Sequence, residues 1–398
     1  MTQDERKRLI QSIQEKRNSQ VVVYCTGDRA PGLVASIAET AVRPLYDHLL
    51  AVEKRLGLSE KIEKIDLFLY SRGGDVSVPW RIVSMIREFC EEFSVLVPYR
   101  AQSAATMICL GADEIVMGRK AELGPIDPTL MGMLNRIGDT GADGALQSIS
   151  TEDVSAYVSF MRERANINDQ VALAQVVSQL SDQVTPLTLG GVYRTHSHIR
   201  LVARKLLTSH RVRLDEEKIS GIVAALTEKI YSHGHGIARA EAADLGLRVA
   251  IRDVELEDLM WQLYLGYEEL LDLRTPFEPM ALLAEAKTSE LRLDGLRVAI
   301  MESLDRTDMV EISAALRQKR IVPSNLQVNA NLNLQLPAGI DPAAIPSEAT
   351  NVLQQLLAQL QLAVPLIVQQ EIVRQSPVTG WDFVPTKGDY WQQVRAAP

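Results

Sequence analysis

The chain has 398 residues, 46% apolar and 23% charged, with 42 Lys and Arg against 51 Asp and Glu for a net charge of −9. That length suits two domains or one large domain with an extension. The composition excludes a disordered or fibrous chain, and the acidic balance excludes the basic field that captures nucleic acid. Three widely spaced cysteines, Cys25, Cys90 and Cys109, make neither a disulfide framework nor a CxxC metal site. They fit a reducing compartment, so the expected location is the cytoplasm. Residues 1–20 are charged and lack a signal-peptide core. The longest apolar runs, such as Leu362–Val368 with its Pro365, are short of a bilayer's thickness. No transmembrane segment is expected, and any membrane contact would be peripheral.

In chain order, residues 5–17 read as an amphipathic helix and Val21–Tyr24 as a strand. Residues 43–58 place Leu45, Leu49, Val52 and Leu56 at helical spacing. Ile62–Tyr70 is nearly continuously apolar after Lys64, as in a parallel strand covered on both faces. The turn Ser71-Arg72-Gly73-Gly74-Asp75 follows, then a helix over 78–93, a strand Val95–Val97, a turn through Gln102, a small-residue helix Ser103–Leu110, and a strand Glu114–Met117. Strand, turn and helix recur in the manner of an α/β fold. Turn residues crowd 120–150. Helical patterns then cover 151–180, 188–208, 215–231 and 239–245. Thr275-Pro276-Phe277-Glu278-Pro279 marks a boundary. Beyond it come helical patterns over 280–318, an alternating run Leu326–Leu336, a Pro-rich linker, a Gln/Leu-rich helix over 347–375 and an irregular end. Two domains are expected, 1–275 and a mostly helical extension 276–398.

The chemistry concentrates at two turns that follow consecutive strands, where open α/β sheets bind ligands. Gly73-Gly74 lets backbone approach a ligand with its N–H groups free for an oxyanion. Ser103 opens a helix whose N-terminal N–H groups and dipole favour negative charge. A hydroxyl facing backbone donors has the parts for acyl transfer. Equally, Gly-Gly is often only a turn, and Ser is a common helix cap.

Four segments carry a resemblance: Arg72-Gly73-Gly74-Asp75, Ala101-Gln102-Ser103-Ala104-Ala105-Thr106, Gly111–Gly118 and Leu123–Pro128. They resemble the ClpP and signal-peptide-peptidase branch of the crotonase-like superfamily, and within it the serine dehydrogenase proteinases, a peptidase family. Ser232–Leu247 resembles the segment that closes the core of such proteins. The resemblance implies a repeated β-β-α superhelix, α/β in class, with Ser103 as nucleophile. The N–H groups of Gly73 and Ala104 would form the oxyanion hole. The implied partners are a peptide or protein substrate and further copies of the chain, with no cofactor, no metal and no nucleic acid.

The chain departs from the pattern at the proton acceptor. ClpP-type enzymes carry a histidine soon after the serine, but none occurs here between His48 and His196, and Asp127 occupies about the matching place. Signal peptide peptidases use a lysine, yet none lies between Lys120 and Lys205. His233 or His235 as base, oriented by Asp127, is the arrangement these residues leave, and a structural His-Gly-His turn is the alternative. Lys205 and Lys229 are weaker candidates, each reading as a solvated helix residue. The pairs His196/His198 and His233/His235 invite a metal, but i and i+2 diverge on a helix. Cys109 reads as a buried thiol, and Trp80 as a pocket or core residue. Two other functions stay open: a crotonase-like acyl-CoA enzyme, and a non-catalytic scaffold.

Overall fold

The computed structural model describes residues 1–57, 60–126, 157–183, 186–229, 235–320, 346–388 and 390–394, with the paired dipeptides 129–130 and 149–150. The chain forms two compact units, one of residues 1–277, 295–312 and 388–398, the other of 278–294 and 313–387.

The first unit begins with α1 (Gln3–Arg17), capped by a Thr2/Glu5 capping box. Next come β1 (Gln20–Thr26), α2 (Val42–Leu56) and β2 (Ile62–Tyr70). Then follow α3 (Val78–Phe89), β3 (Cys90–Val97), the short β4 (Arg100–Ala101), α4 (Ala104–Leu110), β5 (Glu114–Met117) and the short β6 (Glu122–Leu123). Farther on are α5 (Gln170–Gln183), α6 (Pro186–Thr208), α7 (Glu216–Ala224), β7 (Ile237–Ala238), α8 (Arg239–Asp244) and α9 (Val254–Leu270).

Strands β1, β2, β3 and β5 lie side by side and parallel. Alternation along them sends Val22, Tyr24, Leu67, Leu69, Val95 and Val97 to a core shared with α2, α3, α4, α6 and α7. Val21, Val23, Phe68, Tyr70 and Leu96 go to a second core under α1 and α9. Buried ion pairs tie α1 to the sheet: Arg17 meets Asp66 at 2.9 Å, and Arg6 meets Glu302 at 2.8 Å.

The reading of 78–93 as one helix is corrected. The helix stops at Phe89, and Cys90 is already extended because it pairs with Ile62, as Glu92 pairs with Lys64. The helix α9 adds an element to those the sequence pattern predicts. The helical reading of 280–318 holds only for α10 (Pro279–Glu285). After it come two long strands, β8 (Glu290–Glu302) and β9 (Thr307–Arg320). Residues Ala299–Glu302 of β8 pair antiparallel with Val23–Thr26 of β1 and are buried there. That pairing, absent from any local pattern, decides the conformation.

In the second unit α11 (Ser347–Gln375) is followed by β10 (Val378–Lys387), which pairs with β9 from Ser313 to Arg320. The end expected to be irregular thus contributes a strand. A dipeptide strand, β11 (Gln392–Gln393), pairs with Asp308 and Met309 in the first unit. The alternating run Leu326–Leu336 lies outside the described residues. The apolar run expected to be too short for a bilayer lies in a longer helix. Pro365 does not end α11, which is exposed along its length and is long and apolar enough, by length and composition, to cross a bilayer. Residues 349–370 hold no charged side chain.

One buried cluster joins α2 to the turn between β8 and β9. His48 Nδ1 lies 2.9 Å from Ser303 Oγ, and its Nε2 lies 3.1 Å from Asp308 Oδ2, at ion-pair distance though not aligned as a hydrogen bond. Ser303 and His48 are wholly buried, and Asp308 is 2% exposed. Burial alone would raise the Asp308 carboxyl. The close approach of His48 and the bonds from Arg306 outweigh it and hold its pKa below the usual value.

Candidate active site

The site is assembled where β2 and β3 end. The turn after β2 and the turn after β3 are stitched together, with Ser71 N–H donating to Arg100 O (3.0 Å) and Gln102 N–H to Ser71 O (3.0 Å). A third segment closes the other side. Ile37 N–H donates to Gly73 O, and Asp75 N–H to Ile37 O, both at 2.8 Å. Gly73 and Gly74 adopt φ of 108° and 155°. A Cβ on Gly73 would stand 2.7 Å from Gln102 O and 2.8 Å from Ser103 Cβ, so glycine lets this turn lie flush against the serine.

Ser103 precedes α4 with φ 51° and ψ −116°, outside the regions ordinary residues favour. Holding a serine there costs about 1–3 kcal/mol, a strain typical of functional sites. Its side chain makes no capping hydrogen bond, so the plain N-cap reading does not describe it. Among the described residues no hydrogen bond engages its hydroxyl. Ala104 is the first residue of α4, where helix N–H groups lack an intrahelical acceptor. The Gly73 N–H is not open. It donates to Ser71 Oγ at 3.0 Å, and the Ser71 hydroxyl also accepts from Thr26 Oγ1 at 2.8 Å.

Thr106 fixes the neighbouring strand. Its Oγ1 lies 2.7 Å from Ala101 O and 2.8 Å from Gly124 O, and it accepts from Gly124 N–H at 3.1 Å. Thus β6 runs parallel to β4 and carries β7 antiparallel on its other side. Neither Ser71 nor Thr106 was singled out in the sequence, where each is an ordinary hydroxyl.

Of the expected bases, Asp127 and His233 lie outside the described residues. His235 is 44% exposed and its Nε2 meets Glu241 Oε1 at 2.9 Å, a pairing along its own segment. Lys205 is exposed, with its ammonium 5.6 Å above the Trp80 ring. Cys109 is fully buried, and burial pushes its thiol far above the usual value, so it is inert. His196 and His198 diverge on α6, the first half-buried and the second exposed. No group of three metal-ligating side chains occurs among the described residues. The rim is charge-balanced: Asp28 accepts from Arg72 (2.7 Å) and Tyr70 (2.9 Å), and Arg100 pairs with Glu122 (2.8 Å).

Among the curated relatives that the chain resembles is the uncharacterized protein MJ0137 of Methanocaldococcus jannaschii. It is 25% identical over 265 residues, 65% of this chain and 78% of that protein. MJ1495 of the same organism is 20% identical over 61% of this chain and 71% of its own length. Solved structures that match include a mutant of the 1510-N membrane-bound stomatin-specific protease with a substrate peptide. It shows 15% identity over 55% of this chain and 73% of that one, with a TM-score of 0.33. ClpP1 from Listeria monocytogenes shows 14% identity over 61% and 98%, with a TM-score of 0.32. The profile of the family described as ClpP-like SDH-type serine proteinase matches residues 1–138, the span that holds both turns and Ser103. Over those residues the chain is similar to the ClpP-like SDH-type serine proteinases.

Proposed function

We propose that the protein is a serine peptidase that forms an acyl-enzyme on Ser103. The observation that carries this reading is the strained, uncapped serine at the head of α4, set against a glycine that no other residue could replace without displacing it. In the reaction Ser103 Oγ would bond to the peptide carbonyl carbon while its proton passes to a base. The carbonyl electron pair would be received by the N–H groups of Ala104 and Gly73. For Gly73 that means sharing or exchanging its bond to Ser71. Collapse would expel the amine with the transferred proton, and water would release the acyl group. His233 or His235 with Asp127 are the bases that the sequence offers. The reading extends to a homo-oligomer in the cytoplasm, a reducing location supported by three buried free thiols.

A second reading, a non-catalytic scaffold, is favoured by one observation: the Gly73 N–H already has a partner in Ser71. One experiment separates the two. The full chain is treated with a fluorophosphonate probe and the adduct is mapped by mass spectrometry. The peptidase reading expects one adduct on Ser103, absent in Ser103→Ala, and the scaffold reading expects none.

A further inference from the structure

The peptidase reading leaves the proton acceptor open, and the described imidazoles can be compared by where they stand. His48 is enclosed with Ser303 and Asp308. The Nε2 of His210 lies 2.7 Å from Leu110 O, at the far end of α4 from Ser103. His198 is exposed and His235 is held by Glu241. His196 is placed differently, and three observations bring it to the serine.

The first is the register of α6 on α4. Residues 196, 199, 203, 206 and 210 follow at spacings of three and four, a single face of a helical path. Ile199, Ala203 and Leu206 are fully buried in the core that contains α4. Leu206 Cδ2 is 3.0 Å from the place of a Gly111 Cβ, and His210 bonds Leu110, so this face meets the carboxyl end of α4 at 206–210. From Leu206 back to His196 is about 15 Å of helix, and from Gly111 back to Ser103 about 12 Å. The stripe therefore ends, in His196, at the level of the serine.

The second is the register of α6 on α3. Lys205 stands over Trp80 in the first turn of α3, and Ser209 bonds Arg87 near its end. Residues of α6 before Lys205 thus reach past the start of α3, toward the Gly73–Asp75 turn. The third is the loop beside the serine. Gly124 abuts Gln102, Ile126 N–H donates to Leu226 O at 3.2 Å, and the backbone of the next residue, Thr227, is near enough to His196 to favour its protonated ring.

We infer that His196 is the general base of Ser103, with the Thr227 carbonyl holding the opposite ring N–H and so fixing the tautomer. This rests on the nucleophile reading above. The Ser103 hydroxyl proton passes to the free imidazole nitrogen as the Oγ–C bond forms. The imidazolium returns that proton to the leaving amine as the C–N bond breaks, and the same cycle acts on water in deacylation. Burial lowers the imidazole's pKa, the charge of Arg200 on the same helix lowers it further, and the Thr227 backbone only partly opposes them. The ring is therefore neutral at pH 7 and free to accept. No charged residue of α4 faces it, since 104–110 carry none.

The test follows the rate of fluorophosphonate labelling of the full chain across about pH 5 to 8, the range in which an imidazole titrates. In the native protein the rate should rise with pH through a single titration below the ordinary imidazole value. His196→Gln should label at least about 100-fold more slowly, with that titration gone. Added imidazole should restore part of the rate of His196→Ala, and His198→Ala should match the native rate. A native-like rate and pH profile in His196→Gln overturns the assignment, as does a native profile with no titration in this range, which needs no variant to fold. Failure of the nucleophile reading looks different: labelling that persists in Ser103→Ala, or that never occurs in the native protein.

Discussion

Two serines, Ser303 and Ser103, are opposites in how their hydroxyls are held. Ser303, His48 and Asp308 stand in the order serine, imidazole, carboxylate, with distances of 2.9 and 3.1 Å. They are closed off, at 2% exposure or less. Ser103 has no such completed set among the described residues. It has instead a positive φ, a half-buried position, a helix N-terminus and a glycine turn pressed against it. The difference teaches that three side chains of the right kind make a clamp when they are sealed in. A nucleophile needs access, backbone donors for the developing charge and a side chain not already spent on a structural bond.

The sharpest way to break this contrast is to exchange the serines' fates. Ser103→Ala should remove fluorophosphonate labelling, a loss of at least about 10⁴-fold, while Ser303→Ala should label at the native rate. Labelling that depends on Ser303 would reverse the two assignments. A smaller effect is expected at Gly73→Ala, where the new methyl would meet Gln102 O and Ser103 Cβ below 3 Å at a φ of 108°. Labelling should fall about 100-fold or more through displaced geometry, measured on protein whose circular dichroism is native.

His48→Ala should act on stability alone. It leaves Ser303 unpartnered and removes one of the partners of Asp308, a cost of about 3 kcal/mol in urea unfolding. Labelling per folded molecule should stay native. The gentlest probe is acid. Because the folded Asp308 pKa lies below its unfolded value, the stabilisation is complete above the ordinary carboxyl pKa and fades as pH falls through the folded one. Asp308→Asn should flatten that part of the stability–pH curve, and an unchanged slope would place the acid sensitivity elsewhere.

Much of this was legible before the fold. The β-branched runs at Val21–Tyr24 and Ile62–Tyr70, and the turns that follow β2 and β3, were local signals and stand where their patterns put them. What stayed hidden depends on partners distant in sequence. Cys90–Phe93 continues a helical pattern but pairs with β2, and Ala299–Glu302 reads as helix until β1 lies beside it. His196 was visible only as half of a His-x-His pair. Its spacing to Ile199, Ala203 and Leu206 was present in the sequence, but the helix that this stripe faces was not. The strained φ of Ser103 has no sequence signature, because a serine before a helix usually caps it.

The return of Ala299–Glu302 to β1 has a consequence for dissection of the chain. A fragment ending near 275 would keep every residue of the Ser103 site and lose the strand that covers one side of β1. It would also lose Trp391, which packs edge-on against Tyr24. The bared run Val23–Thr26 would then be a sticky edge, offering unpaired amides and carbonyls to the next molecule. The tail thus works as a built-in edge guard, and its removal would turn the molecule into a template for strand-by-strand aggregation.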